Sequence, residues 1–109
     1  MRCKLHEIAH CRAGDKGDTL TLSLFAFHDE DYEILRTQVT AHAVKRHLAH
    51  FVHGEVRRYE LPELGGLQFV CERALDGGVT ASLAIDPHGK TLSSALLELA
   101  VERRRMSTR

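Results

Sequence analysis

An α+β fold, with helices packed on one face of a roughly four-stranded sheet, is what this sequence predicts, on three observations. Thr19–Phe27 and Val79–Ile85 alternate apolar and polar residues with period two, the pattern of strands buried on one side. Ala41, Val44, Leu48 and Phe51 recur at helical spacing, as do Leu92, Ala95, Leu96 and Leu99. Extended and helical segments interleave, and no repeat, low-complexity tract or linker divides them. At 109 residues the chain reads as a single domain over 1–109, long enough to bury its own core.

Taken in order, Lys4–His10 reads as a first strand with impure alternation, and Arg12–Asp18 as a Gly-rich loop. Thr19–Phe27 is the clearest strand, with Leu20, Leu22, Leu24 and Ala26 inward and Thr19, Thr21 and Ser23 outward. His28-Asp29-Glu30-Asp31 is a polar turn in which Asp31 is placed to cap a short helix running through Leu35. A better helix begins after Thr40, and Gly54 is expected to stop it. Glu55–Leu61 is a weaker strand, put near an edge by the exposed-looking Arg57 and Arg58 and ended by Pro62.

Glu63–Leu75 is ambiguous. Gly65 and Gly66 argue against a long helix, but Phe69, Val70, Arg73 and Ala74 before Gly77-Gly78 suggest a helix from Leu67. Val79–Ile85 is a strand, and Asp86-Pro87-His88-Gly89 a tight turn. Thr91 then opens a last helix that buries Leu92, Ala95, Leu96, Leu99 and Ala100. Arg103, Arg104 and Arg105 are read at its C-terminal end, where the helix dipole favours positive charge. The order β, β, α, β, α, β, α makes a ferredoxin-like sandwich the expected architecture.

Composition narrows the function classes. Fifteen basic residues balance fifteen acidic ones, so no global field draws in nucleic acid or an anionic membrane. Arg57, Arg58 and the terminal arginines form a modest patch without an aromatic stacking motif, and no nucleic-acid partner is expected. Near-zero net charge leaves little repulsion between copies, consistent with a homo-oligomer. No stretch approaches the roughly 18–20 apolar residues of a membrane span, and the N-terminus lacks the apolar region of a secretory signal. Cys3, Cys11 and Cys71 are odd in number and lack CxxC spacing, which suits free thiols and a cytoplasmic location.

The densest chemistry lies in Arg12-Ala13-Gly14-Asp15-Lys16-Gly17-Asp18. Gly14 and Gly17 permit tight turning and close approach to bare N–H groups, and Arg12 and Lys16 can neutralise a phosphate or carboxylate. Asp15 and Asp18 offer hard oxygen ligands for a cation such as Mg²⁺, although no metal is assigned. The plain alternative is a polar hairpin turn, because Asp-Gly and Gly-Asp pairs are common turn chemistry. It is not a Walker loop: the spacing is absent.

His10, just before this block, is the best-placed histidine for acid–base work, with Asp15 the other candidate. Cys11 adjoins Arg12, which would favour a thiolate, but a buried inert thiol is the simpler reading. His42, His47, His50 and His53 cluster around one helix, where packing and solvation outweigh metal ligation. Lys90 sits near a helix start, an unfavourable place for a cation unless an anion meets it there.

Together these residues resemble the small C-terminal ferredoxin-fold domain of the acyclic terpene utilisation (AtuA-like) family, over about Leu5 to Leu99. The likeness rests on Ile8-Ala9-His10-Cys11 running into Arg12–Asp18, and on Thr40 with Val44. Arg58-Tyr59-Glu60-Leu61-Pro62, Leu67-Gln68-Phe69-Val70 and Leu75-Asp76-Gly77-Gly78 extend it, and Ser82-Leu83 and Asp86 through Lys90 complete it. Ala13 stands where the family has serine and Gln68 where it has asparagine, so one loop hydroxyl is lost. In the family this domain usually follows a much larger one.

The resemblance implies a link to acyclic terpene or branched acyl-CoA catabolism, without an established catalytic role and without a named cofactor. The leading expectation is an accessory binding module that self-associates or docks on a separately encoded large-domain partner. Arg12, Gly14, Asp15, Lys16, Gly17, Asp18 and Lys90 would then bind a small anionic or acyl-CoA ligand at the interface. The alternative is a small enzyme on an acyl-CoA or carboxylate substrate, with acid–base or metal-assisted chemistry at the same loop. Arg12 and Lys16 would grip the anion there, and His10 or Asp15 would move a proton.

Overall fold

Each strand of the main sheet alternates between a leucine-rich side and a polar side, and this alternation sets the architecture. The computed structural model describes residues 2–74 and 89–103. Its elements run β1 (Arg2–Lys4), β2 (Ala9–Lys16), β3 (Thr19–Ala26), α1 (Tyr32–Gln38), α2 (Ala41–His47), β4 (Val56–Leu61), β5 (Gly66–Cys71), α3 (Gly89–Leu96) and β6 (Ala100–Glu102). Among the described residues, four strands form an antiparallel sheet in the order β2-β3-β5-β4, and β1 pairs β6 in a separate ribbon. The predicted α+β fold, a roughly four-stranded sheet with helices, is present, and every pairing described in its main sheet is antiparallel. The predicted strand Val79–Ile85, Gly77-Gly78 and the Asp86–His88 part of the turn lie outside the described residues.

Leu20, Leu22 and Leu24 of β3 stand opposite Cys71, Phe69 and Leu67 of β5, and all six are fully buried. Residues directly opposed in an antiparallel pair share a face, so this is the inner face of the sheet. α1 packs over β3 and β5, α2 over β4 and α3 over β2. Leu35, Val39, Val44, Leu48, Leu92 and Leu96 thereby join one core with the strand leucines. Each such side chain contributes about 1.5–3 kcal/mol of burial.

Several local expectations give way to tertiary packing. The first strand is two strands: β1 ends at Lys4, Leu5–Glu7 makes a single 3₁₀ turn, and β2 begins at Ala9. Gly66–Cys71 is a strand, not the helix expected from Leu67, because Leu67, Phe69 and Cys71 fit a pleated inner face between β3 and β4. Asp31 makes no side-chain cap to α1; it is buried and meets Arg103 at 3.5 Å. Thr40 does cap α2, accepting from the Ala43 amide at 3.0 Å.

Gly54 does not stop α2, which ends at His47, and Phe51 of the apolar stripe is 36% exposed. Gly54 instead lies against β5's end, where a Cβ would sit 2.5 Å from the Glu72 carbonyl oxygen. Arg58 is half-buried rather than exposed: it faces inward on β4 and donates to the carbonyls of Arg36 and Val39 at 2.8 and 3.0 Å. That places a cation at the C-terminal end of α1, where the carbonyls lack helical partners. The last helix stops at Leu96, so Ala100 is exposed within β6 and Arg103 follows a strand rather than ending a helix. Arg104 and Arg105 lie outside the described residues.

Gln38 reinforces the small ribbon. Its amide donates to the Glu102 carbonyl and accepts from the Glu102 amide, both at 2.7 Å, as a neighbouring strand would.

Candidate functional site

The block Arg12–Asp18 is not a loop. β2 continues through Lys16, which pairs with Thr19, leaving a two-residue turn of Gly17 and Asp18. Gly17 has φ +66°, the left-handed conformation that the first turn position of a tight hairpin requires. The regular alternation of β3 supplies a ladder that β2 fills to its end. The Asp18 carbonyl then accepts from the Ala74 amide at 3.0 Å, tying the tip to the segment after β5.

This strand sorts the candidate residues onto two sides. Cys11 faces Leu24, Ala13 faces Leu22 and Asp15 faces Leu20, so these three share the inner side. His10, Arg12, Gly14 and Lys16 share the outer side with Phe25, Ser23, Thr21 and Thr19. His10 and Asp15, the two acid–base candidates, are therefore on opposite faces and do not form one constellation. Arg12 and Lys16 share a face, but four strand residues put their Cα atoms about 13 Å apart. The expected cradle is instead an exposed cationic stripe, with Gly14 in open space between its two charges. Lys90 falls in the first turn of α3, and its side chain lies outside the described residues.

No group of three His, Cys, Asp or Glu side chains converges on a metal position among the described residues. Asp15 and Asp18 are thus not joined there by a histidine. Nor do His47, His50 and His53 gather: the His47 ring nitrogen Nε2 is 2.8 Å from the Ala95 carbonyl oxygen.

What the outer face does assemble is an aromatic cluster that motif reading missed. The His10 ring lies 5.5 Å from Phe25 and 5.6 Å from Phe27, centroid to centroid, the latter pair stacked at 25°. Phe25 also spreads over Gly66, where a Cβ would meet its ring at 2.5 Å, so only glycine allows that aromatic to lie flat across β5. One row along, Arg12, Ser23, Gln68 and Tyr59 cross the four strands in register. Phe27 is 53% exposed and Tyr59 46%. A signal for this surface was present, since Phe25 and Phe27 occupy outward positions of a period-two strand.

Charge on this face is uneven. Arg57 is held by Glu72 at 2.9 Å and by Glu55 at 3.6 Å, which neutralises the β4 side. Arg12 and Lys16 have no ion-pair partner among the described residues, so the β2 side is net positive. Cys11 faces the other way, into the core, and burial pushes its thiol up to about 12 while Cys71 is pushed up to about 11. A thiol so raised stays protonated and is a poor nucleophile, which removes Cys11 as a reactive group.

The family model described as the AtuA ferredoxin-like domain matches residues 3–102. No curated protein and no solved structure matches the chain.

Proposed function

The chain belongs to the AtuA ferredoxin-like domain family, and from that premise we propose that it is a binding module whose outer sheet face docks on a larger protein partner. The observation that carries this reading is a face that no described element covers: His10 packed on Phe25 and stacked on Phe27, with Tyr59 exposed across the sheet. Aromatic side chains beside an arginine, here Arg12 with no ion-pair partner among the described residues, match the composition of recognition surfaces. The Arg12 and Lys16 stripe defines the partner's chemistry, namely an apolar patch rimmed by carboxylates or another anionic group.

The occupant is the large domain with which this family's small domain is associated, carried on the same or a separate chain. The module thereby serves the catabolism of acyclic terpenes or branched acyl-CoA compounds in the cytoplasm, a setting in which its three unpaired cysteines remain reduced. No helix among the described residues is long and apolar enough to cross a membrane. The separation of His10 from Asp15 across the sheet favours binding over acid–base catalysis as the role of this strand.

The test is a titration of the protein with a purified large-domain protein of the family, read by calorimetry and by light scattering. The expected result is a defined complex that Phe27→Ser with Tyr59→Ala weakens at least tenfold, and that Arg12→Ala weakens more at low salt than at high. A chain that stays monomeric and ignores the partner would overturn the reading. So would a complex indifferent to all three substitutions, or a dimer of this chain formed through the same face.

A further inference from the structure

A second feature lies away from the outer sheet face. Between the start of α2 and the end of the β4–β5 pair runs an open groove of about 410 Å³, lined by His42, Lys45, His53, Glu55, Val56 and Arg73 among others. Its lining carries two cations, Lys45 and Arg73, against one carboxylate, Glu55. The Lys45 ammonium donates to the Gly54 carbonyl, and Arg73 Nη2 donates to the His53 carbonyl at 3.2 Å. Two cations are thus anchored on consecutive carbonyls at one end of the groove. The one carboxylate in the lining, Glu55, is engaged by Arg57. Neither Lys45 nor Arg73 has an ion-pair partner among the described residues. Their single bonds to carbonyls leave two N–H groups on the ammonium and four on the guanidinium.

The backbone is shaped to hold them there. Arg73 has φ +54°, and it is the one non-glycine residue described in the left-handed region. Gly54 permits the other half of the arrangement: its amide donates to the Glu72 carbonyl at 2.9 Å across a gap that any Cβ would close. His53 donates to the Arg73 carbonyl at 3.2 Å, so residues 53 and 73 are bonded through both backbone and side chain.

We infer that this groove binds a small organic phosphate, its phosphate seated between Lys45 and Arg73. A phosphate monoester carries close to two negative charges and three acceptor oxygens, matching one ammionium and one guanidinium better than a carboxylate does. His42 and His53 add ring nitrogens to the lining, and Val56 and Ala41 give the organic part an apolar wall. The groove is larger than a phosphate alone fills. This site is independent of the docking surface, and the hairpin stripe plays no part in it.

The experiment is an amide chemical-shift titration with inorganic phosphate, phenyl phosphate and acetate at constant ionic strength. Saturable shifts are expected at His53, Gly54, Glu55 and Arg73, with phenyl phosphate binding tightest. Lys45→Gln and Arg73→Gly each weaken phenyl phosphate at least tenfold, while Lys16→Ala leaves it unchanged. In Arg73→Gly the backbone amide bond from His53 remains and glycine adopts this φ freely, which offsets the lost side-chain bond to His53, and a folded variant with a cooperative melt is the control. Shifts that do not saturate, or that centre on Arg12–Lys16, would overturn the proposal. Equal affinity in both groove variants, or acetate binding as tightly as phosphate, would do the same.

Discussion

The two faces of the four-stranded sheet are built from the same backbone and do opposite work. Inward, Leu20, Leu22, Leu24, Leu67, Phe69 and Cys71 are sealed from solvent by three helices. Outward, Thr19, Thr21, Ser23, Gln68 and Val70 remain partly exposed beneath no described element, and His10, Phe25, Phe27 and Tyr59 form the apolar part of that surface. An aromatic ring on the inner face is worth its removal from water. On the outer face the same ring gives that energy only when a partner covers it. One step along a strand separates the side chains that hold the fold from those left on the outer face.

The largest expected effect comes from breaking the inner face. Phe69→Ala removes a fully buried ring from the central region of the sheet and should cost about 3–5 kcal/mol in urea unfolding. Next is the pH dependence of the inward thiols. Cys11 and Cys71 are raised from 9.0 to about 12 and about 11, so the folded chain keeps protons that the unfolded chain releases. Their contribution is complete below pH 9 and is lost as pH climbs through those two values, at about 1.4 kcal/mol per pH unit for each thiol at the steepest. Urea midpoints at pH 8 and pH 10.5 should diverge less in Cys11→Ala with Cys71→Ala than in the native sequence.

The smallest stability effect should come from the outer face. Tyr59→Ala, at an exposed position on β4, should change stability by about 0.5 kcal/mol or less. If it cost as much as Phe69→Ala, the outer face would be part of the folding core and its division from the inner one would collapse.

What was legible in the sequence followed from the same division. β3 could be read because its inner residues are all apolar and its outer residues before Phe25 all hydroxylated. β5 was misread because Val70, an outer residue, is itself apolar and blurs the alternation of Leu67, Phe69 and Cys71. The two glycines before it argue, as sequence, only against a long helix. In the fold, Gly65 takes φ +65° to end a 3₁₀ turn, and Gly66 makes room for Phe25.

The Arg12–Asp18 block was visible as chemistry, but its pleat was not, and the pleat decides that Asp15 and Lys16 face opposite ways. The phosphate groove was invisible for another reason. Lys45, His53 and Arg73 meet only when α2 packs over β4 and the backbones of residues 53–54 and 72–73 bond to each other, and the left-handed φ of Arg73 has no signature in residue type.

The β1–β6 ribbon carries a consequence for how the chain reaches this state. It sets Arg2 opposite Glu102, whereas the β2–β3 hairpin closes around two residues. Loop-closure entropy rises with the length enclosed, and pairings between distant segments slow the search. The hairpin is therefore the pairing of low closure cost, and the ribbon is the costly one unless the intervening sheet and helices already hold its halves close. Gln38, bonded to both backbone groups of Glu102, ties that costly pairing to α1, so the ribbon and the helix support each other.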